Sequence, residues 1–239
     1  MASLHHATLT AVLTFLILVS GAGLAPGTGA TAVDGEAVSV QSDSLDAMTA
    51  VDSYRAVTNM DVSIGANRTF TNVTTVVNRS TATASVYSTD GNDTTHVVDD
   101  RIYRNGSDGW QVESTGAENV TRPAREQIEL LNDSRVTDVQ RTRTNGRQTY
   151  QLELTPNNTT VAETVAAQPG NGIERAASMT VLDRSYDIVV NRSTHRVQRV
   201  QMTLKFQHDG EIGRATMVTW FSGYNETVPA APERVPSEN

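Results

Sequence analysis

Residues 179–224 contain three runs in which apolar and polar residues alternate with a period of two. This period predicts three half-buried antiparallel strands that form a sheet with one apolar and one polar face. The apolar face of the first strand is predicted to carry Leu182, Tyr186, Ile188 and Val190, and that of the second Val200, Met202, Leu204 and Phe206.

Asp209-Gly210 lies between the second and third runs and predicts a two-residue type I′ hairpin, because both residues of such a turn need a positive φ. This turn fixes the register of the two strands. The predicted pairs are His208 with Glu211, Leu204 with Ala215, Met202 with Met217, Val200 with Thr219 and Arg199 with Trp220. On the polar face, the Arg199 guanidinium can lie over the Trp220 indole, or the indole can cover the aliphatic part of the arginine.

The preceding sequence predicts a meander of strands interrupted by short helices. A helix capped by Asp43 or Ser44 carries Leu45 and Met48, and an amphipathic strand follows from Tyr54 to Ile64. Further helices are predicted at 121–134, with Ala124, Ile128 and Leu131 as its apolar stripe, and at 160–167. Further strands are predicted at 70–78, 83–88, 96–104, 110–112, 136–144 and 148–154, so the fold class is α+β and mainly antiparallel β.

The N-terminal residues predict export. Residues 7–24 are apolar and uncharged, and Ala30-Thr31-Ala32 matches a small-residue cleavage site. We therefore expect residues 1–32 to be a secretory signal or, if uncleaved, a membrane anchor. The predicted organisation continues with a polar linker at 33–43, one domain at 44–229 and an extended tail at 230–239, on the extracellular side or on the outer face of the cytoplasmic membrane.

The composition excludes several classes of function. The net charge is −8 and no basic stripe is present, so nucleic acid is not an expected partner. The absence of cysteine excludes disulfides, thiolate metal sites and thioether lipid anchoring. The basic residues are 18 Arg and one Lys, which with the acidic surface resembles proteins of extremely halophilic archaea, although a GC-rich genome would also favour arginine.

Eleven N-x-Ser/Thr sequons follow the N-terminal segment, and in an exported protein they are candidates for glycosylation. Several lie at predicted turns, where a glycan is tolerated. The candidate residues are Asn67, Asn72, Asn78, Asn92, Asn105, Asn119, Asn132, Asn157, Asn158, Asn191 and Asn225.

No catalytic motif is found in the sequence. His96, His195 and His208 are expected to be solvated surface residues, since none lies in a metalloprotease or serine-hydrolase motif. Oxygen-bearing residues near Asp90 and Asn105 fit ordinary turns better than a calcium loop. We expect neither an enzyme nor a cofactor or metal site.

The order of the elements resembles the LolA-like superfamily, which includes LppX-like and LprG-like proteins. The residues that carry the resemblance are 45–48 (LDAM) with 53–54 (SY), 100–106 (DRIYRNG) with 109–110 (GW), and 220–224 (WFSGY) with 228–229 (VP). The resemblance implies a strongly curved, unclosed β-barrel whose concave apolar face is covered by two or three short helices and holds acyl or isoprenoid chains.

The predicted function is non-covalent binding of a lipid or another apolar ligand by an exported cell-surface protein, without catalysis. The alternative is a glycosylated surface module that has a solid core and no ligand. Membrane contact is expected only through the N-terminal segment. The predicted ligand contacts are Met60, Val62, Ile64, Ile188, Val200, Met202, Leu204, Phe206 and Met217.

Overall fold

The structure is a computed structural model that describes residues 35–88, 94–98, 101–106, 109–113, 128–156, 179–208 and 210–229. In this part of the chain, eleven antiparallel strands form one sheet, and helical segments pack on one of its faces. In chain order, the elements are α1 (Gly35–Thr49), β1 (Ser53–Ile64), β2 (Asn67–Asn78), β3 (Thr83–Ser88), β4 (Thr94–Val98), β5 (Arg101–Gly106), β6 (Gly109–Glu113), α2 (residues 128–132), β7 (Ser134–Thr144), β8 (Arg147–Pro156), β9 (Met179–Asn191), β10 (Val197–His208) and β11 (Glu211–Ser222).

The strand order is β6-β5-β4-β3-β2-β1-β11-β10-β9-β8-β7. Two meanders are therefore joined where β1, the first strand, pairs with β11, the last. β6 and β7 lie at opposite edges of this order, so the sheet is an unclosed barrel. The predicted fold class is confirmed.

The register of the last hairpin is as predicted: all five expected pairs between β10 and β11 are observed. Gly210 has a φ of 83°, as a type I′ turn requires, whereas Asp209 lies outside the described residues. The β7–β8 hairpin has a turn of the same kind, because Asn145 and Gly146 have φ values of 50° and 78°. This turn likewise fixes the register of its two strands.

Two expectations for these strands are corrected. Leu182 is 39% exposed, because β9 has a bulge in which Lys205 pairs with Asp183 and Phe206 with Val181, leaving Leu182 without an opposite residue. The second correction concerns Arg199, which lies opposite the exposed Trp220 without stacking on it; the cation–π contacts within the described chain are made by Arg79, Arg192 and Arg196. The alternative, in which the Trp220 indole covers the aliphatic part of Arg199, stays a prediction.

Helix α1 begins at Gly35, so the predicted linker at 33–43 and the predicted cap at Asp43 or Ser44 are wrong. Ala37, Val40, Ser44 and Met48 recur at helical spacing and form its buried face. The first three have small side chains, so the buried face differs little in hydrophobicity from the exposed faces of the helix. The Ser44 hydroxyl is buried and donates to the Val40 carbonyl at 2.6 Å, which satisfies it inside the helix.

The predicted strand at 96–104 is two antiparallel strands, β4 and β5, in which Val97 pairs with Ile102 and Val98 with Arg101. Residues 99–100 lie outside the described residues. Residues 128–132 form the end of the helix predicted at 121–134, and Ile128 and Leu131 are buried as expected. Ala124, the helix predicted at 160–167, the N-terminal segment and the tail lie outside the described residues.

Candidate ligand-binding face

The apolar side of the sheet is built from cross-strand rows, each with one residue per strand. The central row runs Met60, Met217, Met202, Tyr186 and Leu154 across β1, β11, β10, β9 and β8. All five side chains are buried. Methionine is unbranched and polarizable, so three adjacent methionines give this row an adaptable surface.

The row on the α1 side is similarly apolar apart from two threonines. It contains Thr58, Thr219, Val200, Ile188 and Leu152. The Thr58 and Thr219 hydroxyls are 2.9 Å apart and hydrogen-bond each other, so their polarity is satisfied within the sheet. The row therefore presents methyl groups and aliphatic side chains.

The nine predicted contact residues all lie on this face. Val62 and Ile64 are half-buried and pack against the core, whereas the other seven are at most 5% exposed. Helix α1 packs against the same core through Ala37, Val40 and Met48. Their position on the apolar face is thus observed, and their role as ligand contacts stays a prediction.

Phe206 occupies the end of the face that lies at the β10–β11 hairpin. Its ring lies directly over Gly213, and a Cβ at that glycine would be 2.3 Å from the ring. Sequence reasoning missed Gly213 because it is a strand residue with no side chain. Its signal is the break that it makes in the alternation of β11.

Val62, Ile64 and Arg184 are half-buried at this same end, which we call the lip. Arg184 lies opposite Leu204 on the apolar face, and one of its terminal nitrogens donates to the Pro156 carbonyl at 3.4 Å. Partial burial lowers the pKa of Arg184. The lip therefore combines aliphatic groups with a cation. Arg184 has the same parity as Tyr186 and Ile188, so alternation already places it on this face, but no role was predicted for it.

The two tyrosines against this core remain neutral phenols. Burial raises the pKa of Tyr186 and, together with the nearby Tyr54, that of Tyr224, although Arg196 partly opposes the shift at Tyr224. The Tyr224 hydroxyl donates to the Val197 carbonyl. With a raised pKa, neither phenol is prepared to act as a base.

His96 was expected to be solvated and is buried, at 5% exposure. It lies on the outer face of the sheet between Tyr87 and Trp110, with ring centroids at 6.1 and 5.9 Å. Its Nδ1 is 3.0 Å from the hydroxyl of Ser85, which is fully buried. A serine and a histidine at this distance resemble a nucleophile and its base, but an enclosed hydroxyl cannot reach a substrate.

His195 lies in the β9–β10 turn with a φ of 53°, and Tyr150 stacks on its ring. For His208, only the backbone is described. Within the described ranges, no group of three acidic, histidine or cysteine side chains could hold a metal ion. In the same ranges, no helix is long and apolar enough to cross a membrane.

A polar cleft of about 630 Å³ opens at the α1 end of the sheet, on the β8 and β9 side. Arg192 lies over the Tyr150 ring at 5.2 Å from its centroid, and His195 stacks on the same tyrosine. The cleft is lined by Arg147, Gln148, Tyr150, Asn191, Arg192 and Ser193.

No protein-family model and no curated protein matches the sequence. Among solved structures, the Mycobacterium tuberculosis lipoprotein LppX is similar, with a TM-score of 0.53 and 16% identity over 82% of this chain and 98% of that chain. The fold is LppX-like. Mycobacterium bovis LprF (TM-score 0.45, 12% identity, 84% and 96% covered) and a LolA superfamily protein of Nitrosomonas europaea (0.31, 11%, 82% and 95%) are also matched. At these identities the similarity shows the fold alone, so function has to be argued from the apolar face itself.

Proposed function

We propose that this chain is an exported protein that binds a lipid or another apolar ligand non-covalently on the apolar face of the half-barrel, and that it catalyses no reaction. The observation that carries the proposal is the central row of Met60, Met217 and Met202. These side chains lie in an unclosed sheet, so a ligand does not have to break strand pairing to reach them.

The lip supports the same proposal from a second direction. Val62 and Ile64 are half-buried at the end of β1, next to rows that are closed to solvent. This gradient from half-buried to buried is the profile of an apolar entrance. An alkyl chain that covers the two side chains would bury further apolar area at about 25 cal/mol per Å².

The absence of catalysis is part of the proposal and follows from the chemistry of the face. Apart from Arg184, the rows described above consist of aliphatic, aromatic, methionine and threonine side chains. The Ser85–His96 pair lies on the opposite face and is enclosed. Neither arrangement offers an accessible nucleophile with a base.

The test is native mass spectrometry of the full chain purified from its own cells, before and after organic extraction. We expect an extractable adduct with the mass of a lipid. Val62→Trp should reduce the bound fraction about tenfold, a loss of about 1.4 kcal/mol in binding, because the indole would fill the lip. Ser63→Trp is the matched control, since the neighbouring residue points to the other face of β1.

A second function, a surface module with a solid core, is favoured by the near-complete burial of seven of the nine predicted contacts. In that case the chain would carry no extractable lipid, and Val62→Trp and Ser63→Trp would behave alike. Absence of any adduct in protein that is folded and exported would contradict lipid binding and support the module.

A further inference from the structure

We propose that Asn78 and Asn191 carry N-linked glycans and that Asn72, Asn132 and Asn225 do not. These are the five sequons for which both the asparagine and the hydroxyl side chain are described. The sequence gives them equal standing, and the structure separates them by what holds their side chains. The proposal needs export of the chain but is independent of lipid binding.

Asn191 ends β9, and its side chain is held in one orientation. Its Oδ1 accepts hydrogen bonds from the Ser193 backbone N–H at 2.9 Å, the Ser193 hydroxyl at 2.7 Å and the Thr194 N–H at 3.1 Å. Backbone N–H groups only donate, so the atom facing them must be the amide oxygen. The amide nitrogen, which would receive the sugar, is therefore directed away from the turn.

Asn78 ends β2 in the same arrangement. Its Oδ1 accepts from the Ser80 hydroxyl at 2.7 Å and from the Thr81 N–H at 3.3 Å. Ser80 and Ser193 are both exposed. At both turns, a transferase can thus approach the amide nitrogen and the sequon hydroxyl together.

The other three sequons use one or both groups inside the fold. The Asn72 amide nitrogen donates to Asn59 across the β1–β2 ladder. At Asn132, the sequon hydroxyl belongs to Ser134, which is buried and donates to the Leu130 carbonyl.

Asn225 is held by a different contact. Its Oδ1 accepts from the Asp52 N–H at 2.8 Å, which ties the chain after β11 to the start of β1. The hydroxyl of its sequon, from Thr227, donates to the Gly223 carbonyl. The Oδ1 contact leaves the amide nitrogen free, as at Asn191, so the Thr227 contact is the one that a transferase would have to break to engage the sequon hydroxyl.

The chemistry requires an accessible amide nitrogen. Nδ2 forms a bond to the anomeric carbon of a sugar carried on a lipid phosphate, and the bond from that carbon to the phosphate oxygen breaks. The phosphate leaves with the electron pair, and a base of the transferase takes one amide proton. No group is oxidised or reduced.

Asn191 also borders the polar cleft of about 630 Å³ that Arg147, Tyr150 and Arg192 line. The first sugar on Nδ2 has this space beside it and polar groups to contact. Asn78 lies opposite Ser53, and Asn191 lies opposite Thr149, so both sites are at the α1 end of the sheet. Glycans there leave the lip, at the other end, uncovered.

The test is glycopeptide mass spectrometry of the full chain secreted by its own cells. We expect glycan on Asn78 and Asn191, and unmodified peptides for Asn72, Asn132 and Asn225. Ser80→Ala and Ser193→Ala should each remove one glycan, whereas Ser193→Thr should retain it because threonine also completes the sequon. Thr227→Ala is the matched control and should leave the total mass of glycan on the chain unchanged.

The glycopeptides of the wild-type chain alone decide the proposal, so the test holds even where a variant fails to accumulate. Glycan on Asn72, Asn132 or Asn225, or an unmodified Asn78 or Asn191 in the exported chain, would overturn it. If the sequon alone governed modification, all five peptides would carry sugar, and the geometric selection would be wrong.

Discussion

The two parts of the sheet differ in strand length and in the way they bury side chains. We call β1 and β8–β11 the long wall, with strands of 10 to 13 residues, and β3–β6 the short wing, with strands of 5 or 6. The long wall buries one face in repeated rows and, on the other, a few residues such as Thr149 and Val189. The short wing buries Val97 and Ile102 on that face but also Ser85, His96 and Tyr103 on the other.

This difference indicates which part can serve a ligand. A sheet segment buried on both faces is a packed layer, and nothing can enter it without breaking contacts on both sides. The long wall has a wet outer face, where Trp220 and Ile212 are exposed, and an inner face of apolar rows. The proposed binding function therefore belongs to the long wall, and β2 joins it to the short wing by pairing with β1 and β3.

The largest effect is expected where the long wall is most tightly packed. Phe206→Ala should cost about 3–5 kcal/mol in the free energy of unfolding, because the ring is fully buried against Gly213. Ile102→Val in the short wing should cost about 0.5–1.5 kcal/mol. Denaturant unfolding at equilibrium measures both.

The Phe206 ring explains the need for glycine at position 213, and this can be checked separately. Gly213→Ala should cost about 1–3 kcal/mol in the wild type and much less in the Phe206→Ala background. Equal costs in the two backgrounds would show that the ring does not press on this residue.

A smaller loss is expected in the short wing when its buried polar pair is broken. Ser85→Ala should reduce the free energy of unfolding by about 1–3 kcal/mol, because His96 Nδ1 loses a partner where water does not reach it. Ser63→Ala, in an exposed hydrogen bond of the long wall, is the control and should change stability little. A loss no larger than the control would mean that the outer face of the wing is open to solvent.

The smallest effects concern two carboxylates on the outer face of the long wall, and they have opposite signs. Burial raises the pKa of Asp187, which Arg199 partly offsets, so its contribution to stability falls as pH rises from 3.8 through the raised value. The hydrogen bond from Arg68 lowers the pKa of Asp61, so its contribution is present above 3.8 and is lost as pH falls through the lowered value.

Asp187→Asn should therefore raise stability slightly at neutral pH, and Asp61→Asn should lower it slightly. Unfolding measured from about pH 3 to pH 7 tests both signs. A common sign for the two variants would contradict this assignment of causes.

The long wall could be predicted from the sequence, and the short wing largely could not. Strict alternation identifies the inner residues of β10, and Asp209-Gly210 sets their partners because few residues adopt the φ that the turn requires. In the short wing, Thr94 and Thr95 suit either face, and His96 is buried by residues from neighbouring strands. Burial that depends on distant partners leaves no periodic signal.

The same reasoning explains the errors at α1 and at Leu182. The buried face of α1 depends on Ala37 and Ser44, whose transfer free energies are small. The sequence therefore shows almost no helical periodicity of apolar residues in this segment. A bulge adds one residue to a strand, and alternation alone cannot tell at which residue the parity changes. Met60, Met202 and Met217 could be assigned to one face, and alternation also assigns Arg184 to it because the bulge lies beyond that residue, at Leu182.

The pairing of β1 with β11 also determines the order in which the molecule can fold. Arg55 lies opposite Ser222, so the centre of the sheet cannot form until nearly the whole described chain is present. Contacts this distant in sequence carry the loop-closure entropy of the intervening chain and slow folding. Until β11 pairs with them, β1 and β10 each have an edge whose backbone hydrogen-bonding groups are unpaired. Such edges, next to exposed apolar side chains, favour aggregation during folding.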